Sequence, residues 1–192
     1  LGDVYKRQIG EGAFYNATSF NQITYVTDND TDSESRLPSG MTTIEPYTFC
    51  KSSLTAMILP NTVTSIGEKS FCECRIRSIA MPAVTAIGIN AFQKNLLTSL
   101  EIPNSVTTIG ESAFEGNTHL TSIEIPSGVT YIGEGAFQSC YLDRVVFNGT
   151  PRFIGGIAFD SSIDKRSLYI TNADLWCSVE MTWEMGYFSD IY

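Results

Sequence analysis

A motif of the form Ile-Gly-x-x-Ala-Phe returns along this chain at a nearly fixed interval. Its copies open at Ile9, Ile44, Ile66, Ile87, Ile109, Ile132 and Ile154. They close at Phe14, Phe49, Phe71, Phe92, Phe114, Phe137 and Phe159. From Phe49 onward the steps between phenylalanines are 22, 21, 22, 23 and 22 residues. A period of this length marks a repeat architecture in which each period is one structural unit. A single unit cannot bury its own apolar edge, so the units must stack and share a core.

A second motif lies between the anchors. Its clearest copy is Leu120-Thr121-Ser122-Ile123-Glu124-Ile125-Pro126. The stretch from Leu97 to Pro103 is nearly identical, and Leu54 to Pro60 and Ile76 to Pro82 match it. Alternating apolar and polar residues are the pattern of a strand. The proline has no N–H for a ladder and ends the strand. A third apolar point, as in Val129-Thr130-Tyr131-Ile132, turns the chain back. The Gly-x-x-Ala-Phe segment is then a tight turn or short 3₁₀ piece with its Phe driven inward. The expected fold is a repeat solenoid of short parallel β-strands with turns and 3₁₀ pieces, one strand per coil of roughly 22 residues. Seven such strands stacked at ~4.8 Å give a sheet roughly 30 Å across. Its outward face is the extended concave surface that solenoids use for binding.

The combined pattern L-x-x-I-x-I-P-x-x-V-x-x-I-G-x-x-A-F resembles the BspA-like subclass of leucine-rich repeats. The resemblance runs from about Ile9 to Thr171. It implies a secreted or surface-displayed protein, of the kind found in anaerobic bacteria and some protozoan parasites, that acts in adhesion to host matrix proteins or other cells; a bacterial source is expected here. The family brings no catalytic residues to carry over.

Three stretches depart from the pattern. Residues 1–8, containing Asp3-Val4-Tyr5-Lys6-Arg7-Gln8, resemble a translated sequencing adapter. They are expected to be non-native, so no leader peptide is readable. An insertion of about residues 26–36 separates Phe14 from Phe49 and carries Asp28, Asp30, Asp32 and Glu34. It fails as an EF-hand, with no Gly at the sixth position and Ser39 where the closing Glu belongs, and is expected to be a solvated loop. The solenoid is expected over residues 9–171 and a C-terminal cap over 172–192. In the cap, Thr171-x-x-Asp174 opens a short capping helix and Trp176, Val179 and Trp183 form its apolar face.

Chemistry finds little to use. The only histidine, His119, shares its column with Ser53, Arg75, Leu96 and Tyr141. Such variety marks an exposed position without a fixed partner for nucleophilic catalysis. No metal site and no cofactor are expected, and the chain is read as non-enzymatic. Cys74 and Cys140 fall three residues after their Phe, where Asn95 and Asn117 also fall, and are expected to be packed thiols. Cys50 and Cys72 each follow a Phe on adjacent coils, which makes them a candidate disulfide. Their column otherwise holds Tyr15, Gln93, Glu115, Gln138 and Asp160 and is expected to be exposed.

A net charge of −9 opposes nucleic acid and anionic membrane surfaces as partners. No apolar run reaches the ~20 residues of a membrane span. Strand alternation assigns one outward column as Thr24, Ile58, Ala80, Glu101, Glu124, Val146 and Tyr169. The neighbouring column includes Ser122 and Arg144. Ile58, Val146 and Tyr169 are apolar where a solvated face wants polar groups, and Tyr and Arg are favoured interface anchors. The candidate contact is therefore Arg144, Val146 and Tyr169, with Glu101, Glu124 and Ile58 on the same face. The expected ligand is a protein or peptide, such as a host extracellular-matrix or cell-surface protein. The alternative is a structural spacer within a larger surface protein.

Overall fold

The structure is a computed structural model that describes residues 9–19, 37 and 40–159, and the backbone of Leu168–Ile170 and Glu180–Met181. The described strands are short. They are β1 (Thr43–Ile44), β2 (Ala56–Ile58), β3 (Ser65–Ile66), β4 (Ser78–Ala80), β5 (Ala86–Ile87), β6 (Thr108–Ile109), β7 (Ser122–Ile125), β8 (Tyr131–Ile132), β9 (Arg144–Phe147), β10 (Phe153–Ile154), β11 (Leu168–Ile170) and β12 (Glu180–Met181). Every pairing is parallel and joins one coil to the next. The expected stacked solenoid is what the chain forms.

The sheets differ from the expectation of one strand per coil. Most described coils carry two strands. The continuous seven-stranded sheet, β1-β3-β5-β6-β8-β10-β12, is not built from the Ile-x-Ile-Pro segments. It is built from the short segment that ends on the motif isoleucine. The Ile-x-Ile-Pro segments form two separate sheets, β2-β4 and β7-β9-β11, with no strand at residues 99–102 between them.

The glycine after each motif isoleucine explains the continuity. A Cβ at Gly67 would lie 2.7 Å from the Ile44 carbonyl oxygen, and one at Gly110 would lie 2.7 Å from the Gly88 carbonyl carbon. Coils approach this closely only where no side chain intervenes. Glu45 stands in this column on the first described strand. Beside it Ile9–Gly10 form no strand. On the other side the coils differ in length. Asn117 to Leu120 spans one residue more than Asn95 to Leu97, which shifts the rung leading into β7.

The Gly-x-x-Ala-Phe segments are stacked turns rather than 3₁₀ helix. In one coil Ala91 and Gln93 donate their N–H within the turn, to Gly88 and Asn90. Asn90, Phe92 and Lys94 donate to Glu111, Ala113 and Glu115 of the next coil at 2.7–2.8 Å. Asn90 and Lys94 take positive φ of 53° and 54°. Asn90 is the third position of the Gly88–Ala91 turn, where type II geometry takes a positive φ. The alternation assigns each backbone donor either to its own turn or to the next coil, so none of these is orphaned.

The core fills the space between. Ile44, Ile66, Ile87, Ile109, Ile132 and Ile154 form one buried column, and Leu54, Ile76, Leu97, Leu120 and Leu142 another. The anchor phenylalanines form a third. Successive rings from Phe14 to Phe159 stack with centroids 5.1–5.4 Å apart and planes within 16° of parallel. The coil spacing sets that distance, so the stack follows from placing one Phe per coil.

The adapter-like residues 1–8 and the acidic insertion lie outside the described residues. So does most of the expected cap. At Glu180–Met181, inside the expected capping helix, the backbone is strand and extends the seven-stranded sheet through Phe153↔Glu180 and Ile154↔Met181. Among the described residues no helix is long and apolar enough to cross a membrane.

Candidate functional site

Strand alternation faces Ile58, Glu124, Arg144 and Val146 outward as the sequence assigned them, but not on one surface. In β7 and β9 the burial runs exposed, buried, exposed, buried and exposed, buried, half-buried, buried. Ile123, Ile125, Val145 and Phe147 thus enter the core, and Ser122, Glu124, Arg144 and Val146 face outward. The register pairs Ser122 with Arg144 and Glu124 with Val146. It also pairs Val146 with Tyr169 on β11. Arg144, Val146, Glu124 and the Tyr169 position therefore occupy adjoining rungs of one three-stranded sheet.

The other two candidates stand apart. Ile58 is 38% exposed but belongs to the two-stranded sheet β2-β4. Glu101 is exposed on the stretch between the sheets, where the ladder is interrupted. The divided sheet separates Ile58 and Glu101 from the β7-β9 rungs.

Charge on the β7-β9 rungs is balanced across the strands. The Arg144 guanidinium lies 3.9 Å from the Glu124 carboxylate, and both side chains are more than half exposed. A pair this long and this solvated contributes little to stability.

The cysteine columns divide as follows. Cys74 and Cys140 are buried as expected. They donate their S–H to the carbonyls of Phe49 at 2.9 Å and Phe114 at 3.2 Å. Asn95 and Asn117 do more from the same column. Asn117 Nδ2 donates to the carbonyls of Phe92 at 2.9 Å and Phe114 at 2.7 Å, and its Oδ1 accepts from the Leu97 N–H at 3.3 Å. Cys50 and Cys72 correct the expected exposure of their column: both are buried and both are free thiols. Tyr15 in that column is 51% exposed because its ring outreaches the turn. A Cys side chain is too short to do so, and Gln93 lies against Cys72 with Oε1 3.5 Å from Sγ.

Burial sets the thiol chemistry. Desolvation pushes Cys72 and Cys140 up to about 12 and Cys74 up to about 11. They are protonated and weakly nucleophilic at neutral pH. His119 is exposed, with Nδ1 3.4 Å from the Thr118 hydroxyl. Among the described residues no group of three or more His, Cys, Asp or Glu could hold a metal ion.

One surface feature was missed by reasoning from the Ile-x-Ile-Pro strands alone. Tyr131 and Phe153 stack on the outward face of the seven-stranded sheet, with centroids 4.9 Å apart and planes 10° from parallel. The signal was present: both residues immediately precede a motif isoleucine, on consecutive coils. The same column holds Thr43, Ser65, Ala86 and Thr108 on the earlier strands.

Residues 42–165 match the model of the BspA type leucine rich repeat region, in six copies. The chain belongs to the BspA-type leucine-rich repeat family. The family's repeat is the coil described above, anchored by the isoleucine and phenylalanine columns. Among solved structures, this BspA-type chain is similar to a leucine rich cell surface protein from Faecalibacterium prausnitzii. The identity is 21% and the TM-score 0.49, over 90% of this chain and 59% of that one. The BspA-type chain thus spans about three fifths of that protein's chain. No curated protein matches it.

Proposed function

We propose that this BspA-type solenoid is a non-catalytic binding scaffold, displayed at a cell surface or secreted. On this reading the outward face of β7-β9-β11 contacts a protein or peptide and serves adhesion to host matrix or neighbouring cells. The observation that carries the reading is the register Glu124↔Val146↔Tyr169, which sets an apolar position between charged and aromatic ones on contiguous rungs. Arg144 adds a solvated cation beside Val146. Aromatic and Arg anchors around an apolar centre are the composition from which interface hot spots are made.

The test is adsorption to an immobilised, solubilised extracellular-matrix preparation, comparing the parent with the Arg144→Ala plus Tyr169→Ala double variant. Removing two such anchors is expected to weaken binding by at least tenfold, as about 1.4 kcal/mol would. Equal binding by the folded double variant removes this face from the proposal and favours the spacer reading.

A further inference from the structure

We propose that Cys50 and Cys72 close into a disulfide that fastens two adjoining coils when the chain meets a low-molecular-weight disulfide. The two residues hold the same place in successive turns, each directly after a stacked phenylalanine. The backbone around them is locked across the coil gap. Phe49 N–H donates to the Ser70 carbonyl at 2.7 Å, and Lys51 N–H donates to the Cys72 carbonyl at 2.8 Å. The Phe49 and Phe71 rings beside them stack at 5.1 Å. Parallel rungs in this register stand ~4.8 Å apart. That lies inside the ~4.4–6.8 Å between Cα atoms that a disulfide spans. Both thiols are buried and free at this shared position.

The other described cysteines do not compete. Cys74 is turned into the core, with its S–H on the Phe49 carbonyl and Sγ 3.4 Å from the Ser52 hydroxyl. Cys140 lies three coils away, bonded to Phe114.

The chemistry is two exchanges. The thiolate of Cys50 attacks one sulfur of the small disulfide, forms a mixed disulfide and expels one small thiolate. The thiolate of Cys72 then attacks the Cys50 sulfur and expels the second. The protein dithiol is oxidised, the small disulfide is reduced, and the two protein protons end on the two released thiols. Burial keeps Cys72 protonated in the folded state, so exchange is fastest while the coils are still assembling.

The experiment refolds the full chain from denaturant in a buffer of oxidised and reduced glutathione. Free thiols are then alkylated under denaturing conditions, and the chain is digested by trypsin and a Glu-specific protease. Cleavage after Lys51, Lys69 and Glu73 separates Cys50, Cys72 and Cys74 for mass spectrometry. The expected result is a Cys50–Cys72 linked pair, with Cys74 and Cys140 alkylated. The link is expected to survive Cys74→Ser. Full alkylation of Cys50 and Cys72, or a link that uses Cys74 in place of either, overturns the proposal. Because the redox buffer is defined, the outcome is independent of where the protein resides and of whether the β7-β9-β11 face binds.

Discussion

At the scale of single residues, the repeat shows which positions the stack tolerates. Ser70 occupies a column held on later coils by Ala91, Ala113, Ala136 and Ala158, all buried. Its hydroxyl is buried without a hydrogen-bond partner. An unsatisfied buried hydroxyl costs about 1–3 kcal/mol. Ser70→Ala is therefore expected to raise stability by about 1 kcal/mol, read as a higher urea midpoint with unchanged slope; a lower midpoint refutes the assignment. Cys140 gives a pH prediction. Desolvation holds its folded value at about 12, whereas an unfolded thiol titrates near ~8.5. Between those values the unfolded chain has released the proton and the folded chain has not. Stability from this group is thus whole below the unfolded value and falls as pH rises toward the folded one. Wild type is expected to lose about 2 kcal/mol more than Cys140→Ala between about pH 8 and about pH 10. Denaturation at the two pH values measures it, and equal losses rule it out.

At the scale of elements, glycine decides which strands form a continuous sheet. The seven-stranded sheet runs without a break because Gly67, Gly88, Gly110, Gly133 and Gly155 admit the neighbouring backbone. A methyl group at Gly133 would overlap the Glu111 backbone nitrogen. Both parties are backbone, so neither can swing aside as a side-chain tip would. Gly133→Ala is expected to cost about 3 kcal/mol or more and to loosen the β6–β8 pairing first. Amide exchange at Gly133 and Tyr131 reports it, through their bonds to Ile109 and Thr107. Unchanged protection there would show that the coils part easily, contrary to this account. Glu45 is the natural counterpart, marking the rung where the sheet begins.

At the scale of the whole molecule, stability is a sum of coils and the interfaces between them. The phenylalanine stack is the longest shared feature, and Phe114 sits within it, between Phe92 and Phe137. Phe114→Ala removes a fully buried ring, at an expected cost of about 3–5 kcal/mol. Because each coil touches only its neighbours, the loss falls on the two interfaces that Phe114 shares with the coils of Phe92 and Phe137. The array is then expected to unfold in two steps. Hydrogen exchange at Ile66 and Ile87 should report a different opening energy from exchange at Ile132 and Ile154. One common transition across the variant would show cooperativity longer in range than nearest neighbours. The acidic net charge of −9 acts on partners at this scale too, opposing polyanionic surfaces while leaving the fold untouched.

The sequence by itself determined the coil. Its period, its inward phenylalanine and isoleucine, the outward facing of Arg144, Glu124 and Ile58, and the packed thiols of Cys74 and Cys140 all follow from patterns that repeat every coil. Periodicity fixes what each residue does within its own unit. Tertiary structure alone decided what passes between units. Strand pairing depends on how closely two backbones approach, and a Cβ 2.7 Å from a carbonyl is a fact about two coils, not one. For that reason the Ile-x-Ile-Pro face emerged as two sheets, leaving Ile58 apart from Arg144, and the short segment before each glycine became the unbroken one. The same reason places Cys50 and Cys72 under cover. Their exposure depends on what the adjoining coil lays over a short side chain, which no single repeat encodes.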